Sequence, residues 1–532
     1  MTAGPVLERT DDPPREAYLQ LWEILKAFNV KAVGHCESED FALLLRDPDT
    51  GSLVGGLWGR SLWGSFYVDM LVAPDGVDWI PPPFELELRF RDLCRDLAAR
   101  CEKAELVRQC QARKIFTGEL HTIDDLLSLE QFRARDYWLS VNLPGIGRAL
   151  VPGAPFRLSA TPWVTPTRVA APGEDDGNID ARREPAPAAV QAVSSGIFSG
   201  VRIADFSWIG VGPLTTKYFA DQGAEVIRIE SSKRPDLLRY AGPFPGGTPD
   251  INGSPYFANF NSSKLGCTLD LQHPEAKELG WRLIERSDVV AESFRNGVME
   301  RLGFTYEEAR MRNPGIIWLR MPMFGTEGPM SDWAGYGHTL QGVVGVSELH
   351  GYADGEPYGS STAFTDFFNP HFAALALAVA LEHRRQTGEG QLIELAQIET
   401  GIYSLGPAVL AAQLSRNGAH RNGNRHPTAV PHNTYPSEGA DRWLAIACMT
   451  DEQWDSLTKE MGSPSWSTAP ELAVLSGRRK AEGEIDQRIG EWTRGYRAEE
   501  LMHRLQARGV PAALVATIED LHKDPQLAHR RH

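Results

Sequence analysis

The chain has 532 residues, which is enough for two to four domains with their own cores and excludes a peptide, a disulfide-dependent miniprotein or a single small module. Hydrophobic residues at 42% and charged residues at 23% exclude wholesale disorder and fibrous repeats. With 54 Lys and Arg against 70 Asp and Glu, the net charge is −16, which argues against general binding to nucleic acid or to an anionic membrane.

The sequence shows no signal for export or for crossing a membrane. Its longest apolar runs, such as residues 372–381, are about half of the roughly 20 residues that a membrane span needs. Residues 1–14 hold acidic residues and prolines where a signal peptide has basic and apolar ones. We therefore predict a soluble, cytoplasmic protein with reduced thiols, because no metal-site spacing occurs among its six cysteines, Cys36, Cys94, Cys101, Cys110, Cys267 and Cys448.

The first elements in chain order are β-strands, predicted within residues 20–75. Alternating runs at 41–47, 53–60 and 66–74 resemble the antiparallel strands that open an N-acetyltransferase of the GNAT type. That family needs a pyrophosphate-binding loop of the form Arg/Gln-x-x-Gly-x-Gly/Ala directly after such strands, whereas residues 75–83 read Asp-Gly-Val-Asp-Trp-Ile-Pro-Pro-Pro. We predict that residues 1–76 are a β-rich GNAT-like fragment and not a working acetyltransferase.

A linker and an internal repeat organise the chain further. Ala, Pro, Gly and Asp dominate residues 169–195, and a linker is predicted at 173–195 because such a segment buries too little apolar surface to order itself. The repeat has a constant offset of 395 positions, and its pairs are Gln111-Ala112-Arg113 with Gln506-Ala507-Arg508, Thr122–Leu126 with Thr517–Leu521, Gln131 with Gln526, and Arg135 with Arg530. A gapless match over about 25 residues predicts two copies of one module.

After residue 196 the pattern is typical of an α/β fold. Predicted strands alternate with predicted helices, the strands at 201–206, 224–230, 289–291 and 316–319 and the helices at 213–222 and 274–286. Each strand-helix-strand unit needs a right-handed crossover in a parallel sheet. Ligands of such sheets bind outside the carboxyl ends of the strands, so the candidate loops are those after Phe206, Ile229, Ala291 and Leu319.

The loop after the first of these strands reads Ile209-Gly210-Val211-Gly212-Pro213, and its proline opens a helix. Its small residues would let backbone N–H groups and the helix dipole face an anion, although a tight turn without a ligand explains the loop equally well. Neither GxGxxG nor GxxxxGK(S/T) is present, so the sequence has no dinucleotide fingerprint and no P-loop.

Seven motifs follow in a fixed order from residue 212 to residue 391. They lie in residues 212–230, 259–271, 287–303, 313–314, 324–329, 365–366 and 384–391, and they include Ala220-Asp221-Gln222-Gly223-Ala224 and Asn261-Ser262-Ser263-Lys264. In this order they resemble the class III (CaiB/BaiF) coenzyme A transferases. The resemblance implies an α/β fold with a Rossmann-like parallel-sheet large domain over residues 196–432, a smaller α+β domain over residues 433–532, and an interlocked homodimer.

The resemblance also implies a function. Members of this family move coenzyme A between an acyl-CoA thioester and a carboxylic acid, without a metal or a redox cofactor. The implied partners of this chain are therefore acyl-CoA, a carboxylic acid and a second copy of the chain, with no nucleic acid and no membrane.

The catalytic role falls by resemblance on Asp366, in Phe364-Thr365-Asp366-Phe367-Phe368. In the family an aspartate attacks the thioester to give a mixed anhydride, the released thiolate forms an enzyme-bound thioester, and the acceptor carboxylate then takes the acyl-activated position. Apolar flanks predict a desolvated, more nucleophilic carboxylate with a raised pKa. The alternative is an aspartate that caps a helix over residues 369–383, and both roles can coexist.

Contacts with coenzyme A are implied for nine residues, Ile209, Gly210, Ser293, Phe294, Arg295, Arg301, Met323, Phe324 and Gly325. Gly210 stands where many members have a glutamine that orients the anhydride, and Pro370 stands where a glycine is common. The usual Asn-Phe-Arg-Pro-Gly is here Ser293-Phe294-Arg295-Asn296-Gly297. Ser231-Ser232 replace a basic residue, for which the nearby Lys233, Arg234 and Arg239 are candidate phosphate partners. The alternative is that these three side chains are solvated surface charges.

Residues 77–172 resemble the small domain and the return segment of a first copy of the same family. This copy has no nucleophile and no first-strand loop, so it is noncatalytic on its own. Because residues 433–532 lack a return segment, we expect residues 137–172 to dock onto the large domain. Within the smaller domain, Trp454, Trp466 and Trp492 are predicted to be core residues and not ligand platforms.

Two other functions stay open. Racemases and isomerases of this fold resemble the chain at Ala334-Gly335-Tyr336-Gly337, but they place a histidine acid/base where Tyr336 sits, and a tyrosine with a pKa of about 10 is a poor base. His338 is two residues away, in reach of an alternate register. The second alternative is a noncatalytic assembly partner whose site is incomplete.

Overall fold

The chain forms two compact units, Met1–Leu349 with Pro357–His420 and His350–Glu356 with Arg421–His532. The computed structural model describes residues 101–113, 115–143, 145–164, 172–174, 176–178, 196–415 and 419–531, helical turns at 94–95 and 98–100, and the backbone of the strands at 6–8, 42–46, 53–62 and 65–72. The predicted linker falls almost entirely outside these residues.

The N-terminal strands form an antiparallel sheet in sequence order, made of β1 (Val6–Glu8), β2 (Ala42–Arg46), β3 (Leu53–Leu62) and β4 (Ser65–Val72). The predicted antiparallel strands are therefore confirmed. The stretch at 75–83, where a pyrophosphate loop would stand, lies outside the described residues.

A segment of three short helices and three strands follows, comprising α1 (Lys103–Ala112), α2 (Ile123–Ser128), α3 (Glu130–Ala134), β5 (Leu139–Leu143), β6 (Gly147–Val151) and β7 (Arg157–Leu158). Helix α2 begins with a capping box, because the Thr122 hydroxyl accepts the Asp125 N–H while the Asp125 carboxylate accepts the Thr122 N–H. Strands β5 and β6 pair as an antiparallel hairpin.

The main sheet has seven strands, in the order β10-β9-β8-β11-β12-β13-β7. Six of them are mutually parallel and β7 pairs antiparallel with β13 at one edge. The parallel strands are β8 (Arg202–Asp205), β9 (Glu225–Glu230), β10 (Leu265–Thr268), β11 (Val289–Glu292), β12 (Ile317–Arg320) and β13 (Leu392–Glu394). The predicted parallel sheet is thereby confirmed as a mostly parallel one.

Helices cover both faces of this sheet, because the side chains of a strand alternate between faces and each face of a parallel sheet must be buried. Ile203 and Val289 lie in one core, while their neighbours Ala204 and Val290 lie in the other. The helices are α4 (Val211–Asp221), α5 (Pro255–Asn261), α6 (Pro274–Glu285), α7 (Val298–Leu302), α8 (Tyr306–Arg312), α9 (Gly337–Val343), α10 (Val346–Leu349), α11 (Phe364–Thr387), α12 (Gln397–Tyr403) and α13 (Gly406–Leu414).

Helix α11 is, among the described residues, the one helix long and apolar enough to pass a length-and-composition test for a membrane span. The apolar run at 372–381 is only its middle part. Ala373, Ala376, Leu377 and Ala380 of this helix are buried in the core beside the sheet. One face of this helix therefore lies in the core, whereas Leu375 and Val379 of the same helix are exposed.

The segment from α1 to β7 packs on the large domain, as expected for residues 137–172, of which the structure describes 137–143, 145–164 and 172. Besides the pairing of β7 with β13, the Tyr137 hydroxyl donates to the Glu399 carbonyl at 2.7 Å and the Thr400 hydroxyl donates to the Pro155 carbonyl at 2.6 Å. Ile123 and Leu126 are buried in the same core as Val343. The docking prediction is confirmed for the described part of the segment.

The second unit holds an antiparallel sheet of β14 (His432–Pro436), β15 (Trp443–Ala447) and β16 (Ala512–Leu514). Its helices are α14 (Asp451–Glu460), α15 (Leu475–Lys480), α16 (Glu482–Thr493), α17 (Ala498–Ala507), α18 (Ile518–Lys523) and α19 (Pro525–His529). Trp454 is buried in its core, and Trp466 and Trp492 pack against that core, which confirms the prediction for these aromatic side chains.

Candidate active site

Asp366 is the third residue of α11, whose N-cap is Ala363. The prediction that Asp366 caps a helix starting at residue 369 is therefore wrong, because the helix begins five residues earlier and includes Pro370 within its first two turns. The Asp366 side chain is half-buried, and burial raises the pKa of its carboxyl from 3.8 to about 7. Among the described residues, no side chain forms a hydrogen bond or an ion pair with it.

Two glycines enclose the Asp366 carboxyl. A Cβ atom added to Gly210 would lie 2.7 Å from Asp366 Cγ and 2.7 Å from Oδ2, and one added to Gly337 would lie 2.6 Å from Cγ and 2.7 Å from Oδ1. Any larger residue would have to displace the carboxyl. Gly210 is the N-cap of α4 and Gly337 the first residue of α9, so the main chain at the starts of two helices lies against the carboxyl. The glutamine common in the family at position 210 has no room here.

The loop that carries Gly210 is held in a strained conformation. Ile209 has a φ of 63°, a left-handed value that a β-branched residue rarely adopts. Its N–H donates to Asp236 Oδ2 at 3.0 Å, and the buried Arg228 binds the same carboxylate while donating to the Ser207 carbonyl at 2.9 Å. Asp236 and Arg228 therefore fix the path of the chain on both sides of Trp208.

Below this loop, Asp205 ends β8 in a fully buried polar cluster. Its carboxylate pairs with Lys264 Nζ at 3.0 Å and accepts from the Thr216 hydroxyl at 2.7 Å. Burial opposes the charge of Asp205, but the charges of Lys264 and Arg228 outweigh it and lower the pKa of this carboxyl. Burial also lowers the pKa of Lys264, to about 8. The cluster anchors α4, because Lys264 also donates to the Pro213 carbonyl at 2.8 Å.

The loop after β11 meets the first loop side by side. The Ser293 hydroxyl donates to the Trp208 carbonyl at 3.0 Å and accepts the Trp208 N–H at 3.2 Å. The Phe294 ring lies edge-on to the Trp208 ring, with centroids 6.0 Å apart, and the Phe294 N–H donates to Glu292 Oε2 at 2.9 Å. The structure thus brings Ser293 and Phe294 into contact with the loop of Ile209 and Gly210.

The basic residues near these loops divide into two groups. Lys233 pairs with Asp270 at 2.7 Å, and Arg239 pairs with Glu230 at 2.6 Å while lying 3.7 Å from the Phe257 ring centroid. In the described part of the chain, the guanidinium groups of Arg234, Arg295 and Arg301 have no carboxylate partner.

The loop after β12, which carries Met323, Phe324 and Gly325, is only partly accessible to a ligand. The Phe324 ring is buried and lies edge-on to Trp333, so a ligand can reach only the main chain of this residue. Gly325 has a φ of 85°, and the guanidinium of Arg135 lies against its Cα. Met323 lies in the same loop, and its Sδ is 3.0 Å from the position of a Cβ on Gly335.

The residues that matter for a racemase flank Gly337 at the start of α9. Tyr336 is the N-cap of α9, and its ring lies edge-on to Phe116 with centroids 5.0 Å apart. His338 Nε2 lies 3.3 Å from the Ser361 carbonyl oxygen, and burial lowers the pKa of this histidine.

Three features of the site were not predicted from the sequence. Gly337 was noted only as part of a racemase-like segment, and its close approach to Asp366 is visible only in three dimensions. Tyr256 stacks on Phe260 with centroids 5.5 Å apart, and its pKa is raised by burial and by the charge of Asp366. Asp236 and Arg228 left no signal in the sequence, because both look like ordinary surface charges. No group of three or more His, Cys, Asp or Glu able to hold a metal occurs in the described residues.

Comparison with known proteins gives consistent matches. The family model described as CoA-transferase family III matches residues 87–176 and 198–532. A succinyl-CoA–D-citramalate CoA-transferase of Chloroflexus aurantiacus is 31% identical over 333 residues, which is 62% of this chain and 81% of the relative. A probable CoA-transferase of Mycobacterium tuberculosis is 30% identical over 446 residues, which is 82% of this chain but 55% of that longer relative. The crystal structure of a CAIB/BAIF family protein from Brucella suis is 30% identical with a TM-score of 0.59, and the match covers 63% of this chain and 88% of that one.

Proposed function

Because this chain belongs to CoA-transferase family III and is an enzyme of that class, we propose that it carries coenzyme A between an acyl thioester and a free carboxylic acid through the side chain of Asp366. The observation that carries the proposal is the unpaired Asp366 carboxyl enclosed by Gly210 and Gly337. A carboxylate without a salt bridge keeps its lone pairs available for attack on a carbonyl carbon.

The proposed reaction has four balanced steps. The ionised Asp366 oxygen attacks the thioester carbonyl, the carbon–sulfur bond breaks, and a mixed anhydride and a coenzyme A thiolate are left. The thiolate attacks the aspartyl carbonyl of the anhydride, which gives an aspartyl thioester and releases the donor acid. The acceptor carboxylate attacks that thioester to form a second anhydride and to release the thiolate again. The thiolate finally attacks the acceptor carbonyl, which yields the new acyl-CoA and restores the Asp366 carboxylate.

The surroundings of Asp366 suit these steps. Burial raises the pKa of the carboxyl to about 7, so the ionised form at neutral pH is poorly solvated and reactive. Because Gly210 and Gly337 have no side chain, their main chain can lie directly against the carboxyl that would become the aspartyl carbonyl. Backbone N–H groups at the starts of helices are suited to the charge that develops on those oxygens.

Coenzyme A is proposed to lie along the loops that follow β8, β11 and β12. Ile209, Gly210, Ser293 and Phe294 would contact the pantetheine arm by main chain and ring, and Met323, Phe324 and Gly325 would contact it from the third loop. Arg295 and Arg301, which lack carboxylate partners in the described residues, would bind phosphate groups through charge-assisted hydrogen bonds. We add Arg234, whose guanidinium lies 5.8 Å from the Trp208 ring centroid.

The donor is proposed to be a succinyl thioester, because a relative matched over most of its length carries succinyl-CoA in its name. The assembly is proposed to be a homodimer. Leu375 and Val379 on α11 and Tyr403 on α12 are 49%, 39% and 41% exposed, which leaves an apolar face for a second copy. Sedimentation of the wild type and of L375D/V379D tests this assembly, and equal masses at the monomer value would contradict it.

The covalent step is tested by trapping with hydroxylamine. The wild type incubated with succinyl-CoA and hydroxylamine should carry a hydroxamate at Asp366, located by peptide mass spectrometry, and D366N should carry none. An unmodified Asp366 together with active coenzyme A exchange would contradict the aspartyl mechanism. An unmodified Asp366 with no exchange for succinyl, acetyl or longer acyl donors would favour the noncatalytic assembly partner.

A further inference from the structure

Two segments of the chain have the same order and length of helices at one constant offset. Helices α1, α2 and α3 at 103–112, 123–128 and 130–134 correspond to α17, α18 and α19 at 498–507, 518–523 and 525–529, each displaced by 395 residues. Both α2 and α18 begin with a Thr–Asp capping box. Even a detail inside the segments repeats, because Gln111 donates to the Thr117 carbonyl and Gln506 donates to the Ala512 carbonyl.

The two segments differ in what covers them. Ile123 and Leu126 of α2 are 3% and 0% exposed, whereas the equivalent Ile518 and Leu521 of α18 are 72% and 43% exposed. Gln131 and Arg135 are also buried, at 0% and 2%, while Gln526 and Arg530 are exposed. An exposed isoleucine and leucine on one short helix, with buried counterparts in a matching segment, mark an interaction surface.

The first segment shows what such a surface recognises. Ile123 and Leu126 lie against Gly345, where a Cβ would come within 3.6 Å and 3.0 Å of their methyl groups. The Gln131 amide donates to the carbonyls of Phe324 and Glu327 and accepts the Met330 N–H, all at 2.7 to 2.8 Å.

Arg135 and Gln111 of the first segment also bind polar groups of the large domain. Arg135 lies between two carboxylates, at 2.7 Å from Glu394 and 2.6 Å from Glu399. Gln111 additionally donates to the Ala334 carbonyl and accepts the Ala334 N–H, a pairing that Gln506 lacks in the described residues. The matching side chains of the second segment therefore require a carboxylate pair for Arg530 and a loop with free main-chain groups for Gln506 and Gln526.

We propose that residues 498–530 bind a second CoA-transferase large domain, other than the one built by residues 198–415. The large domain of this chain already has its matching surface covered by residues 103–135, so it cannot receive the second segment at the same time. The partner must offer an apolar pocket for Ile518 and Leu521, two carboxylates for Arg530 and an exposed loop equivalent to Phe324–Ala334. This is the chemistry of a family large domain whose own surface is uncovered.

Photo-crosslinking of the full chain in its native cells tests the proposal. The photoreactive p-benzoylphenylalanine is placed at position 518, with position 311 as a matched control, because Met311 is also apolar and is 78% exposed. We expect the adduct from position 518 to map, by peptide mass spectrometry, to a family large domain at the segment equivalent to residues 342–345. An adduct with an unrelated protein, with another copy of this chain, or no adduct at position 518 would overturn the proposal.

Binding measurements with the purified partner give a second readout. The double variant I518D/L521D replaces the two apolar side chains that would fill the partner's pocket with charged ones. In the full chain it should therefore bind the identified partner at least tenfold more weakly than the wild type. M311D should bind as the wild type does. Equal binding by I518D/L521D and the wild type would overturn the assignment of the surface.

Discussion

Two aspartates of this protein show how surroundings decide the chemistry of one side chain. Asp205 is buried beside Lys264 and Arg228, whose charges lower its pKa, so it stays an anchored structural anion. Asp366 has no ion-pair partner in the described residues, and burial alone raises its pKa to about 7. The sequence presents both as short acidic residues near apolar neighbours, and only their partners separate the structural role from the proposed nucleophilic one.

Replacing Asp366 by asparagine is expected to slow coenzyme A exchange roughly 1,000-fold or more, because an amide cannot form the anhydride. In the wild type, kcat/KM should rise with pH up to an apparent pKa near 7, because the carboxyl is protonated and inactive below that value. Thioester exchange measured from pH 5 to pH 9 checks both. Undiminished exchange by D366N would refute the role of Asp366.

Alanine at Gly210 or Gly337 is expected to reduce kcat about 100-fold, because each new Cβ would push the Asp366 carboxyl out of position. Both variants should also unfold at a lower temperature, because the new Cβ would lie 2.9 Å from Asp366 Cβ or 2.7 Å from Ala363 Cβ, and these atoms move only with the main chain. Gly266→Ala is the matched control, since nothing lies within 4 Å of a Cβ at that position of the same domain. Steady-state kinetics and thermal unfolding should be measured together. Full activity of both G210A and G337A would show that the close approach is irrelevant to the reaction.

The raised pKa of Asp366 also predicts a stability effect. The folded protein holds this proton more tightly than the unfolded chain, so the free energy of unfolding falls as pH rises from 3.8 to about 7. Between pH 5 and pH 8 the free energy of unfolding of the wild type should fall by about 2 kcal/mol more than that of D366N. Burial also raises the pKa of Glu292 to about 7. This residue is present in both proteins, so its contribution cancels in the difference between the wild type and D366N. Parallel unfolding curves for the two proteins at both pH values would contradict the assigned pKa.

At the scale of elements, the segment from α1 to β7 is an integral part of the large domain. It supplies an edge strand to the sheet and two glutamine amides that bind the main chain of the loop between Phe324 and Ala334. That loop leads into α9 and therefore into Gly337 beside Asp366. The position of Gly337 beside the candidate nucleophile thus depends on side chains that lie about 200 residues earlier in the chain.

The ion pairs of α3 give a paired test of this docking. Arg135→Ala, at the C-cap of α3, should lower the free energy of unfolding by about 3–5 kcal/mol, because the buried Glu399 would lose its nearest partner and keep only Arg157 at 3.9 Å. Arg133→Ala on the same helix should change it by less than about 0.5 kcal/mol, since its pair with Glu130 is exposed. Chemical unfolding of both variants provides the measurement, and similar values for the two would show that the buried pair does not stabilise the docked segment.

At the scale of the whole molecule, one large domain is assembled from two distant parts of the chain. Residues within the ranges 103–161 and 198–415 share cores and a sheet. Deleting residues 130–172 should leave the rest insoluble or inactive, because Phe132, Tyr137, Phe156 and Leu158 belong to its cores. Deleting residues 1–86, which precede the family match, should leave exchange intact. Unchanged activity after the first deletion would refute the shared domain.

The sequence by itself determined the local elements and the order of the motifs. Short apolar runs predicted the strands at β8, β9, β11 and β12 to within one or two residues, because a parallel strand that is buried on both faces is apolar along most of its length. The prediction was wrong at the start of α11, which was expected near residue 369 but begins at Phe364 and has Pro370 inside the helix. The resemblance to the family pointed to Asp366 as the candidate nucleophile.

The tertiary structure alone decided which groups meet. Gly210 and Gly337 approach Asp366 from two separate helices, and Gln131 binds a carbonyl 193 residues away. Such contacts depend on distances between elements that are far apart in the chain, and residue patterns record only what a residue's own strand or helix requires. Likewise, the exposed face of α18 looks the same in sequence as the buried face of α2, because burial is a property of what lies opposite and not of the helix itself.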